Sequence, residues 1–102
     1  MKEYEVYVPL HYNDGSPIEQ DKIAGIGERL LSDFRGLTFF PQPNQGLWKM
    51  GHVVFRDEIV IFRVLSDNTR SARRLLRQLK EDLKRDLKQE EILIVEKDAE
   101  VL

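Results

Sequence analysis

The chain of 102 residues contains no cysteine. That excludes a disulfide framework, a thiolate metal site and a cysteine nucleophile. Its only histidines, His11 and His52, stand at no metal-ligand spacing. No metal and no cofactor are therefore implied. Long apolar runs are also missing. The longest uncharged apolar stretch, residues 59–62, falls far short of the ~20 residues needed to cross a bilayer. The opening residues Met1-Lys2-Glu3-Tyr4-Glu5 lack the apolar segment of a secretion signal. A cytoplasmic protein with no membrane partner is the expectation. Neither sign of charge dominates: 16 basic residues face 18 acidic ones, for a net charge of −2. The chain as a whole is not a general polyanion binder.

What is present suits one domain spanning residues 1–102. Apolar residues make up 41% and charged residues 33%, a balance that a disordered chain does not show. Residues 3–10 alternate, with Tyr4, Val6, Val8 and Leu10 on one side, which predicts a half-buried strand. Asp14-Gly15 marks a turn. Ser16-Pro17-Ile18-Glu19 then reads as a helix start, with Ser16 as cap, Pro17 in the first turn and Glu19 closing a capping box. Ile23, Ile26, Gly27, Leu30 and Phe34 follow on one helical face, and Gly36 ends the helix. Gly27 on that apolar stripe points to close packing against a sheet.

Residues 37–41 predict a short strand, and Pro43-Asn44-Gln45-Gly46 a turn. Residues 47–50 and 53–55 predict a small hairpin around Gly51. Residues 59–65 are apolar on both sides, as a central strand is. Ser66-Asp67-Asn68-Thr69 offers caps for a second helix, 69–88, whose Ala72, Leu75, Leu76, Leu79, Leu83 and Leu87 form one stripe. Residues 91–97 predict the last strand.

This order resembles the ferredoxin-like fold, an α+β sandwich of βαββαβ type. The resemblance implies an antiparallel sheet in the order 4-1-3-2, two helices on one face and here an extra β-hairpin after the second strand. It is a resemblance of topology without a signature motif, and the fold hosts many unrelated functions.

Three surfaces stand out. The first is the sheet face away from the helices, where Tyr7, Ile59, Ile61, Leu93 and Val95 fall in phase. An apolar face of that size predicts burial against a second copy, a homodimer. The alternative cover is the hairpin or the C-terminal tail. The second is the basic side of the second helix. Half of the basic residues lie between positions 70 and 88, and Arg70, Arg73, Arg74, Arg77 and Lys84 are the candidate phosphate contacts of a nucleic-acid reading. No aromatics are interleaved with them, so no base-stacking platform is evident. The third is a pair of joints. If the first and third strands run side by side and parallel, His11, Asn13 and Ser16 share a sheet edge with Asn68, Thr69 and Arg70 at two helix N-termini. That constellation would hold an anion. In an enzyme of dimeric α+β-barrel type, His11 would be the acid/base and Arg70 the anchor of an anionic substrate. No nucleophile–base pair is recognisable, and the leading expectation is a non-catalytic binding or assembly module that self-associates through its sheet.

Overall fold

The computed structural model describes all 102 residues. The elements are β1 (Lys2–Pro9), α1 (Gln20–Asp33), β2 (Thr38–Met50), β3 (Val53–Ser66), α2 (Thr69–Asp86) and β4 (Ile94–Asp98). The four strands form one sheet in the order β2-β3-β1-β4, which read from the opposite edge is 4-1-3-2. Every neighbouring pair is antiparallel.

Period two explains the sheet's two faces. Tyr4, Val6 and Val8 of β1 and Val60, Phe62 and Val64 of β3 are buried on one face. Onto them pack Ile23, Ile26, Leu30 and Phe34 from α1, and Ala72, Leu76, Leu79, Leu83 and Leu87 from α2. Each fully buried leucine there contributes roughly 1.5–3 kcal/mol. Gly27 lets α1 approach the sheet: a Cβ at that position would lie 3.3 Å from Cε1 of Phe62. The Phe62 ring in turn stacks on Phe39, with centroids 4.6 Å apart.

Several local expectations are corrected. The first helix starts at Gln20, not Ser16, and its N-cap Glu19 makes no side-chain capping bond. Asp14 is the competitor: its carboxylate accepts the backbone N–H of Ser16 at 2.9 Å and the Ser16 hydroxyl at 2.5 Å. Ile18 N–H donates to the Leu10 carbonyl and Tyr12 N–H to that of Ser16, so this segment folds back on itself before the helix begins. The second helix does begin as read, with Asn68 accepting from Ser71 N–H at 3.0 Å. It ends beyond Asp86 in Lys88, whose φ of 53° is left-handed. The last strand starts at Ile94, while the buried Ile92 precedes it as an anchor.

The largest correction concerns the hairpin. It is not a separate insertion. Residues 43–46 lie inside β2, and β2 and β3 run on as one long ribbon. The pairing shifts once, between Phe40 and Asn44. Pro41 and Pro43, which have no N–H to donate, sit at that bulge on an edge strand, where the ladder tolerates them. β1 stops pairing at Pro9↔Ile59. One last bond crosses from the Leu10 N–H to the Glu58 carbonyl at 2.9 Å; beyond it residues 46–57 pair only with each other, and they project as a two-stranded arm that turns at Gly51, φ +62°.

The contrast between two helical glycines tests the packing. Gly25 has open space around it, whereas a Cβ on Gly27 meets Phe62 at 3.3 Å and Leu37 at 3.7 Å. Gly25→Ala is expected to raise stability by about 0.5–1 kcal/mol, and Gly27→Ala to forfeit that gain. Urea midpoints of the two variants check it; an equal gain in both would mean α1 is not held close at Gly27.

Candidate functional site

The sheet face away from the helices carries Glu3, Glu5 and Tyr7 of β1, Ile59, Ile61, Arg63 and Leu65 of β3, Phe40 of β2, and Val95 and Lys97 of β4. The register sets them side by side: Tyr7 opposite Ile61, Glu5 opposite Arg63 and Val95, Phe40 opposite Ile61. Leu93 joins them through its carbonyl, which accepts Tyr7 N–H at 3.0 Å. The predicted interface residues Tyr7, Ile59, Ile61, Leu93 and Val95 thus share this face. None of them is fully buried.

The face has two halves. One is charged. Glu5, only 6% exposed, is held by Lys97 Nζ at 2.6 Å and by Arg63 Nη2 at 3.2 Å, and Arg63 also contacts Glu3. Lys97 foremost, then Arg63, keep the Glu5 carboxyl below its ordinary range against the opposing effect of burial. The Arg63 guanidinium also lies 4.9 Å over the Phe40 ring. The other half is apolar, and it leads into the arm. Alternation along β3 carries the side of Ile61 and Ile59 through Asp57, opposite Gly46, on to Phe55 and Val53, which pair with Trp48 and Met50. The Trp48 indole leans back toward Gly46 and Ile59: a Cβ on Gly46 would sit 3.7 Å from Trp48 Nε1 and 4.0 Å from Ile59 Cγ2. Trp48, Phe55, Val53 and Met50 are 43–69% exposed, and Leu47 and Val54 on the arm's other side are exposed too. Neither the arm nor the tail folds over the sheet. Sequence reading found the face but not the arm's reach; the run of apolar residues on both sides of Gly51 was the available signal.

The basic residues of α2 divide into two groups. Arg73 forms a bidentate pair with Glu96, at 2.8 and 2.6 Å. Lys84 lies 3.8 Å from Glu81 and Lys80 3.0 Å from Glu91. Arg70, Arg74 and Arg77 have no acidic partner and form an exposed stripe at spacings of four and three.

The two joints do not meet. Because β1 and β3 are antiparallel, with Lys2 opposite Ser66 and Pro9 opposite Ile59, the turn after β1 and the turn after β3 lie at opposite ends of the sheet. His11, Asn13 and Ser16 are at one end and Asn68, Thr69 and Arg70 at the other. The shared anion site, and the pairing of His11 with Arg70 in an enzyme, are corrected on that ground: antiparallel neighbours start their following helices from opposite edges. Asn13 instead donates to the Lys88 carbonyl at 3.2 Å. His11 is exposed beside a hollow of about 350 Å³ between the β2 bulge and α1, whose other walls, such as Phe39, Pro41 and Ile23, carry no titratable group.

No family model and no curated protein matches the chain. Among the solved structures that resemble it are these two. A phage SAM lyase in complex with S-methyl-5'-thioadenosine shares 15% identity over 95% of this chain and 80% of its own, with a TM-score of 0.67. A mutant of CutA1 from Pyrococcus horikoshii OT3 shares 12% identity over all of this chain and 86% of its own, with a TM-score of 0.62. At such identities the likeness shows the fold: a small α+β domain with a four-stranded antiparallel sheet and two helices. No helix is long and apolar enough to cross a membrane.

The carboxylates give a pH prediction. Arg73 holds Glu96 at about 2, and Glu5 is lowered as well. Groups depressed in the folded state add stability above their unfolded value of about 4.3 and lose it as pH falls through the folded value. Melting temperature is expected to hold steady down to about pH 5 and then fall toward pH 2. Arg73→Met flattens the part of that fall due to Glu96. Circular dichroism melts across the pH series check it; an unchanged slope in the variant removes Arg73 as the cause.

Proposed function

We propose that the protein is a non-catalytic assembly module that pairs with a second copy of itself through the open sheet face and the arm. One observation carries this reading. An apolar surface runs from Leu93, Val95 and Tyr7 across Ile61 and Ile59 and, past Asp57 and Gly46, resumes in the exposed Phe55, Trp48, Val53 and Met50. A hairpin supported by no third strand is marginal in water, and large exposed apolar patches mark contact surfaces. The magnitudes favour use of the whole strip. Burying the exposed half of four large arm side chains yields roughly 3–6 kcal/mol, or about twice that in a two-fold pair. Association itself costs about 4–15 kcal/mol. The arm alone leaves little surplus, so the sheet face must contribute.

Light scattering on a sizing column is expected to give about twice the chain mass of 12.0 kDa. Trp48→Ser with Phe55→Ser, and separately Leu93→Ser, should each shift the protein toward 12.0 kDa while the circular dichroism spectrum is kept. A monomer at every concentration refutes the pairing.

A second reading, nucleic-acid binding along α2, is supported by the exposed Arg70, Arg74 and Arg77 without acidic partners. It expects duplex affinity that falls steeply with salt and is lost on charge reversal at Arg70 and Arg74. Affinity unaffected by either change excludes it.

A further inference from the structure

A cleft of about 440 Å³ lies where the flank of α2 meets the outer strand β4. Its walls are Tyr4 from β1, Ile94 and Glu96 from β4, and Arg73, Leu76, Arg77 and Lys80 from α2. The volume is within the range of small-molecule sites. The sequence pattern places these residues together only through the fold, since β1 and β4 are at opposite ends of the chain.

Three features give the cleft a chemical direction. The first is an unsatisfied donor. Tyr4 is 2% exposed, and its hydroxyl has no hydrogen-bond partner in the protein. Buried hydroxyls in folded proteins almost always have one. Burial foremost holds this hydroxyl above the ordinary tyrosine range, so it stays protonated and able to donate; the Glu96 carboxylate and the Thr69 hydroxyl lie near it without reaching hydrogen-bond geometry. The second is charge. Three cations line the cleft, but Lys80 is paired with Glu91 at 3.0 Å and Arg73 with Glu96, which leaves Arg77 as the cation without an acidic partner. Glu96 is already taken up by Nε and Nη2 of Arg73, so it is not free to attract a cation, while Arg73 Nη1 has no acceptor. The third is the apolar remainder, Leu76 and Ile94, which suits a carbon group better than water.

We propose that this cleft binds a small phosphate monoester, with Arg77 and the Tyr4 hydroxyl donating to the phosphate and Leu76 and Ile94 against its organic part. A phosphate meets the unpaired Arg77 guanidinium and the free Nη1 of Arg73, and its oxygens supply the acceptor that Tyr4 lacks. The Arg73–Glu96 pair forms a fixed wall, because both of its hydrogen bonds are charge-assisted and parallel. The site is independent of the apolar strip, which lies on the other face of the sheet.

The test uses the intact protein with phenyl phosphate and inorganic phosphate as probes, followed by calorimetry and by amide NMR. Phenyl phosphate is expected to saturate at one per chain and to move the signals of Tyr4, Arg77 and Ile94. Inorganic phosphate should bind the same residues more weakly, which separates the ester from the free anion. Arg77→Ala should weaken binding about tenfold or more, the loss of a charged hydrogen bond. Tyr4→Phe should weaken it several-fold while leaving the melting temperature unchanged or higher, since it deletes an unpaired buried hydroxyl. No saturation up to about 10 mM overturns the proposal, that range being weaker than ordinary ligand sites. So does binding that survives Tyr4→Phe and Arg77→Ala but fails in Arg74→Ala, which would put the anion on the outer stripe of α2.

Discussion

The antiparallel pairing of β1 with β3 is the constraint from which the rest follows. Its register aligns Tyr4, Val6 and Val8 with Val60, Phe62 and Val64 on one face, and both amphipathic helices bury their stripes there. A sheet has two faces, and two helices of this length on one of them leave none for the other. The opposite face must then be dealt with by side chains alone. Near β4 and the N-terminal half of β1 it is neutralised by the Glu3, Glu5, Arg63 and Lys97 network. Toward Tyr7 and Ile61 it stays apolar. That division explains why a buried carboxylate and an uncovered hydrophobic strip coexist on one surface.

The same pairing creates the arm. β1 runs out at Pro9, with one more bond from Leu10 to Glu58, but β2 and β3 continue, so the ribbon beyond Glu58 leaves the support of the sheet. Its side chains nevertheless have the size and apolarity of a core. Trp48, Phe55 and Met50 on one side and Leu47 and Val54 on the other are left exposed. The direction of β3 also sets where α2 begins, and thereby sends its arginine-rich flank along β4. There Arg73 meets Glu96 and the Tyr4 hydroxyl is enclosed.

Much of the architecture was legible because it rests on local periodicity. The alternation in residues 3–10, the leucine stripe of the second helix and the two-sided apolar run of residues 59–65 each specify an element and its buried side without knowledge of neighbours. Asn68 as a cap was readable for the same reason. The failures have physical causes too. Ser16 is as good a cap as Asn68 in isolation, but Asp14 takes its hydroxyl and amide first. The prolines at 41 and 43 signal a break, yet at an edge bulge they interrupt nothing. The anion site drawn from His11 and Arg70 required parallel strands, and no local pattern reports strand direction.

Residue types and their spacing, on their own, determined the two helix stripes, the strands, the absence of thiol chemistry and the apolar phase of Tyr7, Ile59, Ile61, Leu93 and Val95. Those are properties of neighbours a few residues apart, where side-chain direction follows from backbone geometry. The tertiary structure alone decided that the arm stands free, that the two helix starts lie at opposite ends, and that Tyr4, Arg77 and Ile94 enclose one cleft. Each of these depends on register and direction between segments far apart in the chain, which only the packing of the whole domain selects.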